Sequence, residues 1–269
     1  MNKLINSPQN LGTTPPLEYI DATLRAGYEA IGIRLYRAPG RTYNFNPIVG
    51  IPDLMRDVKH ALDDSDLEVF DIYSFYLRPE MEWNLILPAL DFGGELGARY
   101  VLVIGDDPEW NRMCDSFGRL CDRIAPMHQT AVVEATVGAL TPLSTAVKFM
   151  TDCQRDNVGI CLDPRQTFRD ELGFGALKKY DAKWYPYAQI NDSSSVLGNA
   201  GTLPGEGMVP LYDYLDALPP DIPLSVEAQI PRGDVYSGAE WAKISVERIR
   251  RFLEGYTAAR PARAHELVS

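Results

Sequence analysis

The sequence predicts a single-domain α/β protein, a (β/α)8 TIM barrel, and three observations carry that reading. Eight short β-branched or apolar runs alternate with longer stretches of helical spacing, in strand-then-helix order. That order implies parallel strands joined by helical crossovers. A chain of 269 residues has the length of one closed barrel. No Gly-x-Gly-x-x-Gly follows the first strand, so an open dinucleotide-binding sheet loses its main support.

The elements follow in order. Lys3–Asn6 is the weakest strand, and Pro16–Ala26 after it has apolar residues three and four apart, the period of a half-buried helix. Ala30–Leu35 precedes a helix at Asp53–Leu62, and Leu67–Tyr73 precedes one at Trp83–Leu96. Tyr100–Ile104 leads to Asn111–Met127, and Ala131–Thr136 leads to Leu143–Cys153. Val158–Leu162, Tyr187–Ile190 and Pro223–Val226 complete the strands, with a last helix over Ala239–Tyr256. The barrel is expected to occupy 1–257, leaving 258–269 as a polar C-terminal tail, with a swapped or docked arm as the alternative. One long irregular stretch, Asp192 to Pro210, is rich in Gly, Ser and Asn. A loop of that length inside a compact domain is usually functional, and here it is expected to act as a lid.

Composition narrows the function. With 45% hydrophobic and 23% charged residues the chain is ordinary for a folded protein. Its 26 basic and 37 acidic side chains leave a net charge of −11. Phosphate backbones need clustered Lys and Arg, so a general nucleic-acid binder is excluded. No apolar run approaches the ~20 residues of a membrane span, and no signal peptide opens the chain, so a cytoplasmic protein without a membrane partner is expected. Cys114, Cys121, Cys153 and Cys161 form no Cys-x-x-Cys pair, and Cys161 in VGICLD reads as a buried free thiol. Only three His are present, none at a strand end, which leaves little material for a His-based triad or metal cage.

Barrels of this type carry their sites at the C-terminal ends of the strands. Strand two supplies Arg34 and Arg37, strand three Tyr73, Tyr76 and Arg78, and strand four Asp106 and Asp107. Strands five to eight supply Glu134, Asp163, Gln189 and Glu227, each preceded by apolar residues. Desolvated carboxylates converging on one mouth repel each other unless something pairs with them. A divalent cation is the simplest partner, and oxygen donors suit Mn²⁺ or Mg²⁺. The alternative is ion pairing with barrel arginines such as Arg34 or Arg169. Tyr73, Tyr76, Trp110 and Phe168 are candidates for an apolar wall above the site.

The runs VVEATV, GICLDPRQTFR, YAQINDSS and LPGEGMVPLYDYLDALPPDIPLSVEAQ, with GIRLYRAPG and LGARYVLVIG earlier, carry a resemblance. Across nearly its whole length the chain resembles the xylose-isomerase-like TIM barrel superfamily, the sugar phosphate isomerases/epimerases related to tagatose 3-epimerase. The resemblance implies a divalent metal held by Glu134, Asp163, Gln189 and Glu227, with Glu134 and Glu227 as the acid/base pair. It implies substrate contacts from Arg34 and Arg169, with Tyr73 beside them. Two positions depart from the pattern: Gln189 stands where many members have His, and Arg165-Gln166 replaces a substrate-positioning His, whose contact with substrate is expected from Arg165 or Arg169 instead. The implied activity is a divalent-metal-dependent isomerase/epimerase that removes a proton next to a carbonyl on a small, polyhydroxylated substrate. The Gln ligand also resembles the Glu/Asp/Gln/Glu set of 3-dehydroshikimate dehydratases, which are lyases. A ligand-binding barrel without catalysis is the third reading. The expected partner is a small molecule, unphosphorylated since no Gly-rich phosphate cradle is evident. A homodimer is the expected assembly, as the commonest soluble one.

Overall fold

The structure, a computed structural model, describes residues 2–38, 47–135, 138–169, 173–195, 201–231 and 235–266. Thr136, residues 196–200 of the expected loop and residues 267–269 of the expected tail therefore lie outside the described residues. Eight strands form a closed barrel: β1 (Leu4–Asn6), β2 (Ala30–Ile33), β3 (Glu68–Leu77), β4 (Tyr100–Gly105), β5 (Thr130–Glu134), β6 (Val158–Leu162), β7 (Tyr187–Ile190) and β8 (Leu224–Val226). Every neighbouring pair is parallel, and β1 pairs with both β2 and β8, which closes the ring. The helices are α1 (Pro16–Ala26), α2 (Pro52–Asp63), α3 (Trp83–Glu95), α4 (Trp110–Ile124), α5 (Leu143–Cys153), α6 (Pro164–Arg169), α7 (Leu211–Ala217) and α8 (Gly238–Glu266).

Local chemistry explains where helices begin and end. Pro16 opens α1 where its missing N–H costs nothing, and Gly27 closes it at φ 81°, a left-handed turn that glycine adopts without strain. In α4 the Glu109 side chain accepts from the backbone N–H groups of Asn111 and Arg112, capping the first turn. Met113, Phe117, Leu120, Cys121 and Ile124 then fall on one buried face.

Two apolar cores result from the alternation of strand side chains. One lies between strands and helices. The other fills the barrel interior with Ile5, Ala30, Phe70, Tyr73, Leu102, Val132, Cys161 and Tyr187, packed against Tyr100. Phe70, Tyr100 and Tyr187 pack with ring centroids 4.9 to 5.3 Å apart. Because Tyr100 and Tyr187 begin their strands, this trio plugs the N-terminal end and leaves the C-terminal end to polar groups. Cys161 is buried there as a free thiol, as its apolar context predicts.

The register between β2 and β3 shifts by one residue, Ile31 pairing with Val69 and Gly32 with Asp71. This bulge turns Asp71 toward the barrel interior, against Gly32. A Cβ on Gly32 would lie 2.3 Å from the Asp71 Oδ1, so only glycine fits.

The final helix differs from expectation. It passes Tyr256 and continues to Glu266, through the stretch read as a polar tail. The reason is tertiary: the Arg263 guanidinium donates to Asp216 Oδ2 (2.7 Å) and to Asp213, and the Tyr256 hydroxyl donates to Asp216 Oδ1 (2.9 Å), tying the extension to α7. No helix among the described residues is long and apolar enough to cross a membrane.

Candidate active site

Glu134 ends β5, Asp163 follows β6, Gln189 lies within β7 and Glu227 follows β8, so four adjacent strands deliver them to one mouth. Asp163, Gln189 and Glu227 are buried, and Glu134 is half-buried. Around Glu227 the donors converge on a single oxygen. Its Oε1 accepts from Gln189 Nε2 (2.8 Å), the Ser7 hydroxyl (3.2 Å) and the Tyr73 hydroxyl (3.3 Å). The single Tyr73 proton is shared between Glu227 Oε1 and the nearer Ser7 hydroxyl. None of these three donors bonds Oε2.

Asp163 is satisfied differently. Its Oδ1 accepts from the backbone N–H groups of Arg165 (2.8 Å) and Gln166 (3.2 Å). Its Oδ2 accepts from Arg165 Nη2 (3.0 Å) and Asn191 Nδ2 (3.1 Å). Thus Arg165, expected as a substrate contact, lies folded back on the carboxylate two residues before it.

Burial and charge set the electrostatics. Burial, with the Asp163 charge second, pushes the Glu227 carboxyl up to about 7, against the pull of Arg165. Burial lifts the Tyr73 phenol well above its ordinary value, and the Glu227 and Asp71 charges add to it. Burial works against the Arg165 charge, but Asp163, and behind it Glu227 and Glu134, more than offset that and hold its pKa up. All three carboxylates therefore act on one guanidinium.

The other candidates divide. Tyr73 joins the Glu227 network directly. Arg34 is buried at the end of β2 and lines a small, mainly apolar cavity of about 40 Å³ with Tyr19, Leu11 and Ile48. Arg169 ends α6, donates to Gln166 Oε1 (3.1 Å) and lines a cavity of about 280 Å³ with Ala135, Thr141, Leu162 and Thr167. Trp110 faces the helix layer, packing edge-on against Phe149 and donating to Asp152 (2.9 Å). Asp107 is held by both nitrogens of the Arg112 fork, and Arg78 pairs with Asp106 and lies over the Tyr76 ring. Ser7 was not singled out from sequence; its only signal was a hydroxyl directly after a weak first strand.

The loop after β7 is organised by Asp192. Its carboxylate accepts from four backbone N–H groups: Ser193 (2.8 Å) and Val209 (3.0 Å) on Oδ1, Gly205 (3.0 Å) and Gly207 (3.0 Å) on Oδ2. Gly207 is required because a Cβ there would lie 2.2 Å from Asp192 Oδ1.

A divalent ion was expected at Glu134, Asp163, Gln189 and Glu227. As chemistry the donors suit one: they are oxygens, and the buried Gln189 Oε1 has no hydrogen-bond partner. As an arrangement they do not fit. The lone pairs of Asp163 are taken by Arg165, Gln166 and Asn191, and those of Glu227 Oε1 by three donors. Among the described residues, no three His, Cys, Asp or Glu side chains are grouped so as to hold an ion.

Below the mouth, Asp71 accepts from the Tyr187 hydroxyl (2.9 Å) on Oδ2, while its Oδ1 has no partner. Burial raises its pKa from 3.8 to about 7, with the Tyr187 bond pulling the other way. The folded protein thus holds a proton that the unfolded chain releases. The stability this contributes is full below pH 3.8 and is lost as pH rises through about 7. Urea unfolding is expected to show a loss of roughly 2–3 kcal/mol from Asp71 between about pH 5 and pH 8. Glu227 adds to the decline in the same window and with the same sign. Asp71→Asn is expected to flatten the profile by the Asp71 share; an unchanged slope in that variant would show that Asp71 ionises normally.

Comparisons with known proteins agree with this architecture. Residues 20–252 match the family model described as xylose isomerase-like TIM barrel. No curated protein matches the chain. Among solved structures, the IolI protein with a bound zinc atom is 17% identical, with a TM-score of 0.72 over 94% of this chain and 99% of its own. L-ribulose 3-epimerase is 19% identical, with a TM-score of 0.71 over 100% of this chain and 98% of its own. A xylose isomerase-like TIM barrel/4-hydroxyphenylpyruvate dioxygenase fusion protein is 16% identical, with a TM-score of 0.71 over 92% of this chain. The chain spans 42% of that fusion protein's length. At these identities the likeness is one of fold.

Proposed function

The chain belongs to the xylose isomerase-like TIM barrel family, and on that premise we propose that it is an isomerase or epimerase acting on small polyhydroxylated carbonyl compounds. The observation that carries the reading is Glu227: a buried carboxylate directly after β8 whose Oε1 accepts from Ser7, Tyr73 and Gln189, none of which bonds Oε2. Such a group suits removal of a proton from carbon beside a carbonyl. That C–H is a weak acid, so the base gains from a pKa near the working pH, and Glu227 is raised to about 7. Ser7, Tyr73 and Gln189 fix the Oε1 and so orient Oε2 without consuming it. Glu134, across the mouth on β5, would return the proton from the other side, giving the inverted or shifted product. Arg34 and Arg169 would contact the substrate's oxygens, and the buried Tyr73 would act through its bond to Glu227.

The family's chemistry calls for a divalent ion, Mn²⁺ or Mg²⁺ from the oxygen donors here. Their arrangement around Arg165 does not fit one, so no step of this reading runs through an ion. The structural neighbour named L-ribulose 3-epimerase supports a ketose as the first substrate class to try.

Deuterium incorporation from heavy water into a panel of ketoses, keto-inositols and 3-dehydroshikimate tests the proposal. Exchange at carbon beside the carbonyl of a ketose or keto-inositol, with an epimer or isomer appearing, is the expected result. Loss of water from 3-dehydroshikimate would instead identify the lyase suggested by Gln189. Binding of a panel member with no exchange would leave a barrel that only binds.

A further inference from the structure

The carboxylates of the mouth are already neutralised in part, by a side chain of the chain itself. Arg165 follows Asp163 by two residues, across Pro164 at the start of α6. Pro164 and the bonds from the Arg165 and Gln166 backbone N–H groups to Asp163 Oδ1 fix the turn. The turn brings the Arg165 side chain back over the barrel, where it is 11% exposed and its Nη2 lies 3.0 Å from Asp163 Oδ2. Glu227 and Glu134 act on the same charge from β8 and β5.

A divalent ion needs Asp163 with a free oxygen, and the guanidinium occupies it. Two cations in one buried pocket also repel strongly. Ion and guanidinium are therefore alternatives: an ion binds only the population in which Arg165 has swung away, and its apparent affinity falls by that fraction. Protonation does not relieve the competition, because a guanidinium keeps its charge throughout the usable pH range. A Lys or His in the same place would yield to an ion at alkaline pH; Arg165 does not.

We propose that Arg165 is the resident cation of this site, an internal counter-charge that holds the Glu134, Asp163 and Glu227 mouth in a state that binds divalent ions weakly. The inference rests on these side chains forming one site, as the proposed function does, but not on the isomerase reaction. On the isomerase reading, the guanidinium would place a fixed positive charge beside the carboxylates that handle the proton, the kind of charge that stabilises a developing enolate. It does so without the exchange of ligands that a bound ion requires.

Calorimetric titration of the full chain with Mn²⁺, together with metal analysis after dialysis, tests this. Wild type is expected to bind Mn²⁺ weakly. Arg165→Met, similar in reach but uncharged, is expected to bind it at least about tenfold tighter, a gain of about 1.4 kcal/mol. Asp163→Asn placed on Arg165→Met should remove the gain. Millimolar guanidinium chloride should weaken Mn²⁺ binding to Arg165→Met and leave wild type unchanged. Arg165→Gln repeats the test should the Met variant fail to fold by near-ultraviolet circular dichroism. The proposal is overturned if wild type retains one tightly held ion per chain and Arg165→Met binds no tighter. It is equally overturned if folded Arg165→Met and Arg165→Gln bind no Mn²⁺. Neither result bears on the deuterium-exchange assay, so the failure of one reading is separable from the failure of the other.

Discussion

Replacing Glu227 by Gln is expected to lower proton exchange about a thousandfold, the scale of losing a positioned general base. The amide has nearly the shape of the carboxylate. Its oxygen still accepts from Ser7, Tyr73 and Gln189, as the Oε1 of Glu227 does. What disappears is the ability of the second carboxylate oxygen to take a proton. The fold should survive and even gain, because a neutral amide does not carry the desolvation cost that raises the Glu227 pKa to about 7. Two measurements separate these effects: mass-spectrometric exchange on the best substrate, and urea unfolding at about pH 8, above that pKa. A variant that exchanges at the wild-type rate would assign the base elsewhere. One that neither exchanges nor folds would make Glu227 structural.

The second large effect concerns stability. Asp192→Ala is expected to destabilise the protein by about 4 kcal/mol, because backbone N–H groups lose a charged acceptor at 1–3 kcal/mol each and some regain water. The four donors come from residues 193, 205, 207 and 209, so one side chain ties both ends of the loop after β7. At 2–4 °C per kcal/mol for a chain of this size, the thermal midpoint should fall by roughly 10 °C. Asp192→Asn keeps one acceptor oxygen and should lose about half as much. Scanning calorimetry on both variants decides: equal, small losses would mean that the turn holds itself and the carboxylate is dispensable.

The barrel was legible because its elements obey local rules. Val158–Leu162 and Tyr187–Ile190 are strands with the bounds their apolar runs predict, and Pro16–Ala26 and Leu143–Cys153 are helices with theirs. The misses share a cause, interactions between residues distant in sequence. Nothing local marks Asp71 as interior; the bulge opposite Gly32 does that. Pro261 and the charges around it argue for a tail, yet pairs from Arg263 to Asp213 and Asp216 keep the stretch helical. At the mouth, strand-end position brought out Glu134, Asp163, Gln189 and Glu227, because apolar residues before a polar one give a readable pattern. Ser7 sits after a three-residue strand with no such pattern. Arg165 was visible as a candidate, but a rotamer decides whether its charge points to a substrate or to Asp163.

The seam of the barrel runs through the candidate site. Ser7 follows the first strand and Glu227 the last, 220 residues apart in the chain, and their hydrogen bond lies beside the β1–β8 pairing. A ribosome must release all eight strands before these partners can meet. Long-range closure of this kind is the slow, entropically costly part of folding. The nascent chain therefore carries Ser7 and Tyr73 as an inert half-site until the eighth strand arrives. Glu227 acquires its fixed orientation in the same event that completes the ring. Closure of the ring and assembly of the candidate site are coupled by topology alone.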